Sequence, residues 1–280
     1  MDTRSVVEGR PGQGLYRTSN SAQTDSPVRR RGLARFVGYA LLVLAVTSCQ
    51  TIPITGRVAP NGFSVEQDIE MGAEAYEDMM SSEPLLQSGP EHEMVNRVMN
   101  RLVAAAAEYD PGYPWEVRVI DNPQVVNAFA LPGGKMAVYT GILPVAQGET
   151  GLAVVMGHEL GHVLARHGTE RLTSDGAVKT ILDLLFEGNA HALAGQLTGV
   201  LQLGYGRNQE LESDHIGLIL MAKAGYDPNE AIGFWSRMAA LGGGAPPEWL
   251  STHPSNERRI DEIQKLLPEA REYYLAGQGL

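Results

Sequence analysis

The chain has 280 residues, one cysteine and a net charge of −11. A lone cysteine excludes a disulfide framework, and the acidic balance excludes general attraction to nucleic acid or anionic lipid. Seven of the 22 basic residues but only three of the 33 acidic ones lie in residues 1–48, so the remainder carries a net charge of −15.

Residues 1–27 are polar and read as disordered. Residues 28–49 read as a bacterial secretion signal: Arg29, Arg30, Arg31 and Arg35 precede an apolar stretch, 36–46, that ends in small residues. That stretch is shorter than the roughly 20 residues a transmembrane helix needs. Its end, Val46-Thr47-Ser48-Cys49, resembles the lipobox of bacterial lipoproteins, which implies a lipidated Cys49 as the mature N-terminus. Gln50 rather than Asp follows, which in that class implies sorting to the outer membrane. Residues 1–48 are therefore expected to be extension and signal, 49–63 a linker holding Pro53, Gly56, Pro60 and Gly62, and 64–280 a single domain.

From Ser64 the pattern turns helical. Ser64 with Gln67 three residues on forms a capping box for a helix to about Met80. A second helix is predicted over 91–109, with Met94, Val95, Val98, Met99, Leu102 and Val103 on one face. Residues 115–120 alternate as a strand. Residues 126–131 and 135–140 read as two more, joined at Pro132-Gly133-Gly134 by a hairpin. The remainder is predicted helical, at about 150–167, 170–186, 190–203, 208–224, 228–241 and 255–267. The fold class is α+β: a mostly helical domain with a small β-sheet beside the apolar helix at 150–167.

His158-Glu159-Leu160-Gly161-His162 sits inside one of these helices and reads H-E-x-x-H. Residues four apart share a helical face, so both imidazoles can meet one Zn²⁺ while Glu159 stands ready to deprotonate a water beside it. A third ligand must come from elsewhere. The metzincin pattern is excluded, because Ala165 and Gly168 stand where it needs Gly and His. His167 lies on a different face and reads as a packing or polar-network residue. Glu210 and Asp214 are again four apart: either a ligand with a carboxylate that holds an imidazole, or a solvated acidic face.

The run from His158 to His167, then Glu210-x-x-x-Asp214 and Gly225-Tyr226-Asp227-Pro228, resembles the M48 family of zinc metallopeptidases. It is most similar to the periplasmic lipoprotein branch with its Oma1-like peptidase core. Asn127-Ala128-Phe129-Ala130 before Pro132-Gly133-Gly134, and Thr252-His253-Pro254-Ser255, resemble family segments too. The resemblance spans roughly residues 64–267. It implies one Zn²⁺ per chain held by His158, His162 and Glu210, with Asp214 behind them, Glu159 as general base and Glu212 as the rival ligand. It further implies that His253 can fill the open zinc position and hold the enzyme latent; a loop histidine capping a helix is the alternative. Arg259 matches a family arginine near the site; the two readings are that it steadies the oxyanion or that it pairs with an acid at the surface. An extended substrate would add to the strand edge at Asn127, Ala128 and Phe129.

The implied function is a gluzincin-type zinc metalloendopeptidase, lipid-anchored in the bacterial periplasm at the outer membrane. Its partners would be protein or peptide substrates such as misfolded or misassembled envelope proteins, and envelope assembly machinery. The alternatives are an envelope chaperone or assembly-binding lipoprotein with a closed, silent zinc site, and a scaffold whose motif binds no metal.

Overall fold

The Ser64 capping box forms as expected: the Ser64 hydroxyl accepts from the Gln67 N–H, and the Gln67 side chain accepts in return from the Ser64 N–H. The computed structural model describes residues 49–174, 195, 199, 204–241, 249, 253 and 257–279. The basic stretch 1–48 and most of the predicted helices at 170–186 and 190–203 lie outside the described residues.

In chain order the described elements are β1 (Cys49–Thr51), β2 (Val58–Pro60), α1 (Val65–Met80), β3 (Leu85–Leu86), α2 (Pro90–Ala106), β4 (Glu116–Ile120), β5 (Ala128–Leu131), β6 (Lys135–Tyr139), α3 (Leu143–Ala146), α4 (Glu149–Leu164), α5 (His167–Ser174), α6 (Arg207–Lys223), α7 (Glu230–Ala240) and α8 (Glu257–Gly277). The architecture is α+β and mostly helical, as expected. Strand order in the sheet is β3-β4-β6-β5, with β4 and β6 parallel and the other pairs antiparallel. The β5–β6 hairpin turns at Gly133 and Gly134, whose φ angles of 75° and 83° suit glycine. β5 is left as an edge strand, and it packs on α4.

The helix α4 is buried along its length, from Gly151 to Leu164. It is apolar all round because it is covered all round, by α2, α6, α7 and the sheet. α6 is its most extensive neighbour, and α8 packs on α6 in turn. The predicted helix at 255–267 runs on to Gly277 through Pro268. One lost N–H there is tolerated because Ala270 is fully buried and Tyr274 packs on the core beyond it.

Residues 49–63 are not a linker. β1 and β2 pair antiparallel as a hairpin, and Ile52 and Ala59 are buried in the core of the same compact unit, Ser48–Leu280. The segment docks because its polar residues find partners on the helices. Arg57 pairs with Glu170 and Glu212, Gln50 donates to the Ala165 carbonyl at the end of α4, and Asn61 donates to Thr169. No helix among the described residues is long and apolar enough to cross a membrane.

Candidate functional site

Two helices build the site, and glycine sets how close they come. A Cβ on Gly161 would stand 2.8 Å from the Ser213 carbonyl oxygen, and one on Gly217 would stand 2.7 Å from the His158 nitrogen. Only bare backbone permits this approach. It brings Glu210 and Asp214 of α6 level with His158 and His162 of α4.

His158 Nε2 and His162 Nε2 face each other at 3.0 Å, and Glu210 offers its oxygens at 3.7 and 3.4 Å from them. Both imidazoles have their other nitrogen occupied. His158 Nδ1 lies 2.9 Å from Asp214 Oδ1, a carboxylate that can only accept, so the proton sits on Nδ1 and Nε2 carries a lone pair. Arg259 Nη2 is equally near His158 Nδ1, but an N–H cannot donate to an N–H, and it donates to Asp214 Oδ1 at 2.7 Å instead.

Three electron-pair donors thus converge in a buried space. Both Glu210 oxygens accept no hydrogen bond among the described residues, although Arg259 Nη1 comes within 3.1 Å of one. Burial pushes the Glu210 carboxyl well above its ordinary value and pushes both imidazoles down, His158 to about 4. Among the described residues Arg259 is the one cation against this set, and it leaves the two imidazole lone pairs and a Glu210 oxygen turned toward one another. Tetrahedral nitrogen ligands on zinc stand roughly 3.3 Å apart, close to the observed spacing. His253 completes a group of four donors within 4.8 Å of one another. The residues present therefore fit a divalent metal ion.

Glu159 is buried beside them. Burial pushes its carboxyl up to about 8, while the Trp249 indole N–H at 3.3 Å, the Ala130 backbone N–H and the Arg259 charge pull the other way. The Ala130 contact ties Glu159 to β5, the edge strand. Of the predicted substrate-edge residues, Ala128 and Phe129 lie in β5; Asn127 precedes it and accepts from the Tyr139 N–H. His253 Nε2 stands 3.5 Å from Glu159, and the Trp249 ring stacks on His253 at 4.3 Å.

Arg259 is not a surface residue. It is 2 % exposed, forked onto Asp214, and sits 3.9 Å over the Trp235 ring. Burial pushes the Asp214 carboxyl up, but Arg259 and His158 outweigh that and hold it below the usual range. Glu212, the rival ligand, points elsewhere: it accepts from His167 Nε2, Thr55 and Arg57. His167 is the polar-network residue its face predicts, fully buried between His162 and Glu212.

Sequence reasoning did not find Tyr205, which stacks on His162 at 3.8 Å, nor Trp249 and Trp235, which wall the His158 side. No spacing rule marks them, since each comes from a different part of the chain. Cys49 is exposed at the start of β1.

Residues 90–267 match peptidase family M48. Among curated relatives, the mitochondrial metalloendopeptidase OMA1 of Schizosaccharomyces pombe is 40 % identical over 235 residues, covering 80 % of this chain and 68 % of that protein. The budding-yeast protein of the same name (Saccharomyces cerevisiae) is 38 % identical over 66 % of this chain and 59 % of its own length. The beta-barrel assembly-enhancing protease of Escherichia coli is 29 % identical over 82 % of this chain, which spans only 51 % of it.

Proposed function

Since the chain belongs to peptidase family M48, we propose that it is a zinc-dependent endopeptidase of the bacterial cell envelope, acting on misfolded or misassembled envelope proteins. One observation carries the reading: His158, His162 and Glu210 aim three donors at one buried point, with Glu159 alongside and tied to an edge strand. His158, His162 and Glu210 would hold one Zn²⁺. The metal, when bound, supplies Lewis acidity toward a water and a peptide carbonyl.

The chain's own residues do the rest. A substrate in extended form adds to β5, where Asn127, Ala128 and Phe129 border the site, and so lays its backbone across Glu159. Glu159 takes a proton from the attacking water onto its carboxylate and returns it to the leaving nitrogen. Trp249 holds the Glu159 carboxylate in place. Asp214 keeps His158 in the tautomer that binds metal. Arg259 holds Asp214 and Glu210 and lends positive charge toward the developing oxyanion.

The test is digestion of casein by the wild-type protein beside Glu159→Gln, with zinc measured on both. The variant should keep its zinc and lose turnover by about 10²–10⁴-fold. Equal inactivity of both proteins, with zinc bound, would favour the silent binding protein; absence of zinc in the wild type would favour a scaffold.

His253 gives that endopeptidase a latent state. Its imidazole belongs to the same donor group, stacked on Trp249, where it can take the position a water needs. His253→Ala should then raise proteolysis or self-cleavage with zinc content little changed; a folded, metallated variant no more active than wild type removes the latch.

The envelope setting rests on the lipobox resemblance, on Cys49 being exposed, and on the Escherichia coli relative, whose name places it in barrel assembly. A lipid on Cys49 would join the membrane at the docked hairpin, at the outer membrane, beside the envelope assembly machinery. Mass spectrometry in a native host should find lipid on the wild type and none on Cys49→Ala; wild type recovered with residues 1–48 intact sinks this part.

A further inference from the structure

The geometry points to His167 as the positioning residue for the His162 imidazole, held in turn by Glu212, which the N-terminal hairpin clamps through Arg57 and Thr55. The inference rests on the zinc site proposed above and adds residues to it that neither the H-E-x-x-H spacing nor Glu210 brings in.

The proton positions follow from one end of the chain. Glu212 accepts from Arg57 Nε at 2.7 Å and from the Thr55 hydroxyl at 2.6 Å, so it is an ionised, acceptor-only group. His167 Nε2 lies 2.9 Å from Glu212 Oε2 and must therefore carry a proton. A neutral His167 then has a lone pair on Nδ1. His162 Nδ1 lies 2.9 Å from that lone pair, and the Ser213 hydroxyl lies 3.3 Å from it. His162 accordingly donates from Nδ1, and its Nε2 is left as the lone pair that faces His158 and Glu210. Glu212 thus does for His162, through one intervening imidazole, what Asp214 does directly for His158.

The anchor lies outside the helix pair. Arg57 spans Glu212 and Glu170 with its two faces and belongs to the hairpin loop between β1 and β2. His167 and Glu212 are both buried, while the Arg57 side chain is 36 % exposed. A residue at the protein surface, near Cys49 in sequence, is in this way connected to a metal ligand by an unbroken run of hydrogen bonds.

Zinc affinity of the full chain, measured by competition with a chromophoric chelator, tests this, together with the visible absorption of the cobalt-loaded protein and melting of the metal-free form. His167→Leu should bind zinc about 10–100-fold more weakly and shift the cobalt bands. His167→Gln, which can accept from His162 and donate to Glu212, should recover most of both. Arg57→Ala should weaken zinc by at least about threefold. A folded His167→Leu or Arg57→Ala with wild-type zinc affinity overturns the inference, as does an unshifted cobalt spectrum in His167→Leu. Should His167→Leu fail to fold, Arg57→Ala alone decides. A wild type that binds no zinc overturns the metallopeptidase reading itself, which is a separate result.

Discussion

Side by side on one helix face, His158 and His162 meet different supports, a carboxylate in one case and an imidazole in the other. The carboxylates of α6 divide in the same way: Glu210 faces inward with no hydrogen bond among the described residues, whereas Glu212 is spent on His167 and Arg57. Glu210→Ala should therefore lose stoichiometric zinc on dialysis, while Glu212→Ala keeps it with weakened affinity. Metal analysis of the two variants in the opposite order would reassign the third ligand. The two histidines and Glu159 were legible in the sequence because a four-residue spacing on a helix is a local fact. Glu210 against Glu212 was not settled by spacing alone, since a helix period says which residues share a face and not which face turns toward the two histidines.

The packing of α4 on α6 depends on glycines, one of which, Gly161, the motif itself contains. Gly161 lies between the two histidines, and a methyl group there would press on the Ser213 backbone. Gly161→Ala should cost about 1–3 kcal/mol in overpacking, read as a lowered urea midpoint, and should weaken zinc as α6 moves off. Unchanged stability and affinity would mean that the approach is looser than the structure has it. Elements with their own signals were read well: the capped helix α1, the Gly133-Gly134 hairpin and the amphipathic α2 each carry their instruction within a few residues. β3 is two residues long and escapes any periodicity, being defined only by its pairing with β4. The hairpin β1–β2 reads as linker because Pro53, Gly56 and Pro60 punctuate it, and its docking depends on Glu170, Glu212 and Ala165, more than a hundred residues away.

Across the whole molecule, Arg166 gathers the parts. It turns the chain after α4 with φ 55°, pairs with the fully buried Asp68 at 2.5 Å, and donates to the Phe63 and Ser64 carbonyls and to Gln50. Tyr113 donates to the same Asp68. Asp68→Ala leaves Arg166 largely buried without its counter-ion and should destabilise the fold by about 3–5 kcal/mol; a chemical melt that moves by less than a third of this would show that water or Gln50 substitutes. The placement of the tryptophans has a different kind of consequence. Of the three in the chain, Trp235 and Trp249 stand 4.8 Å apart, both in ring contact with His158, with Trp249 also stacked on His253. Trp115 lies apart from them, donating to Asp110. The molecule therefore carries a native optical reporter: ultraviolet emission from the unlabelled protein should change when metal is stripped or when the His253 ring leaves its stack, and Trp249→Phe should silence most of that response while Trp115 glows on as an internal standard.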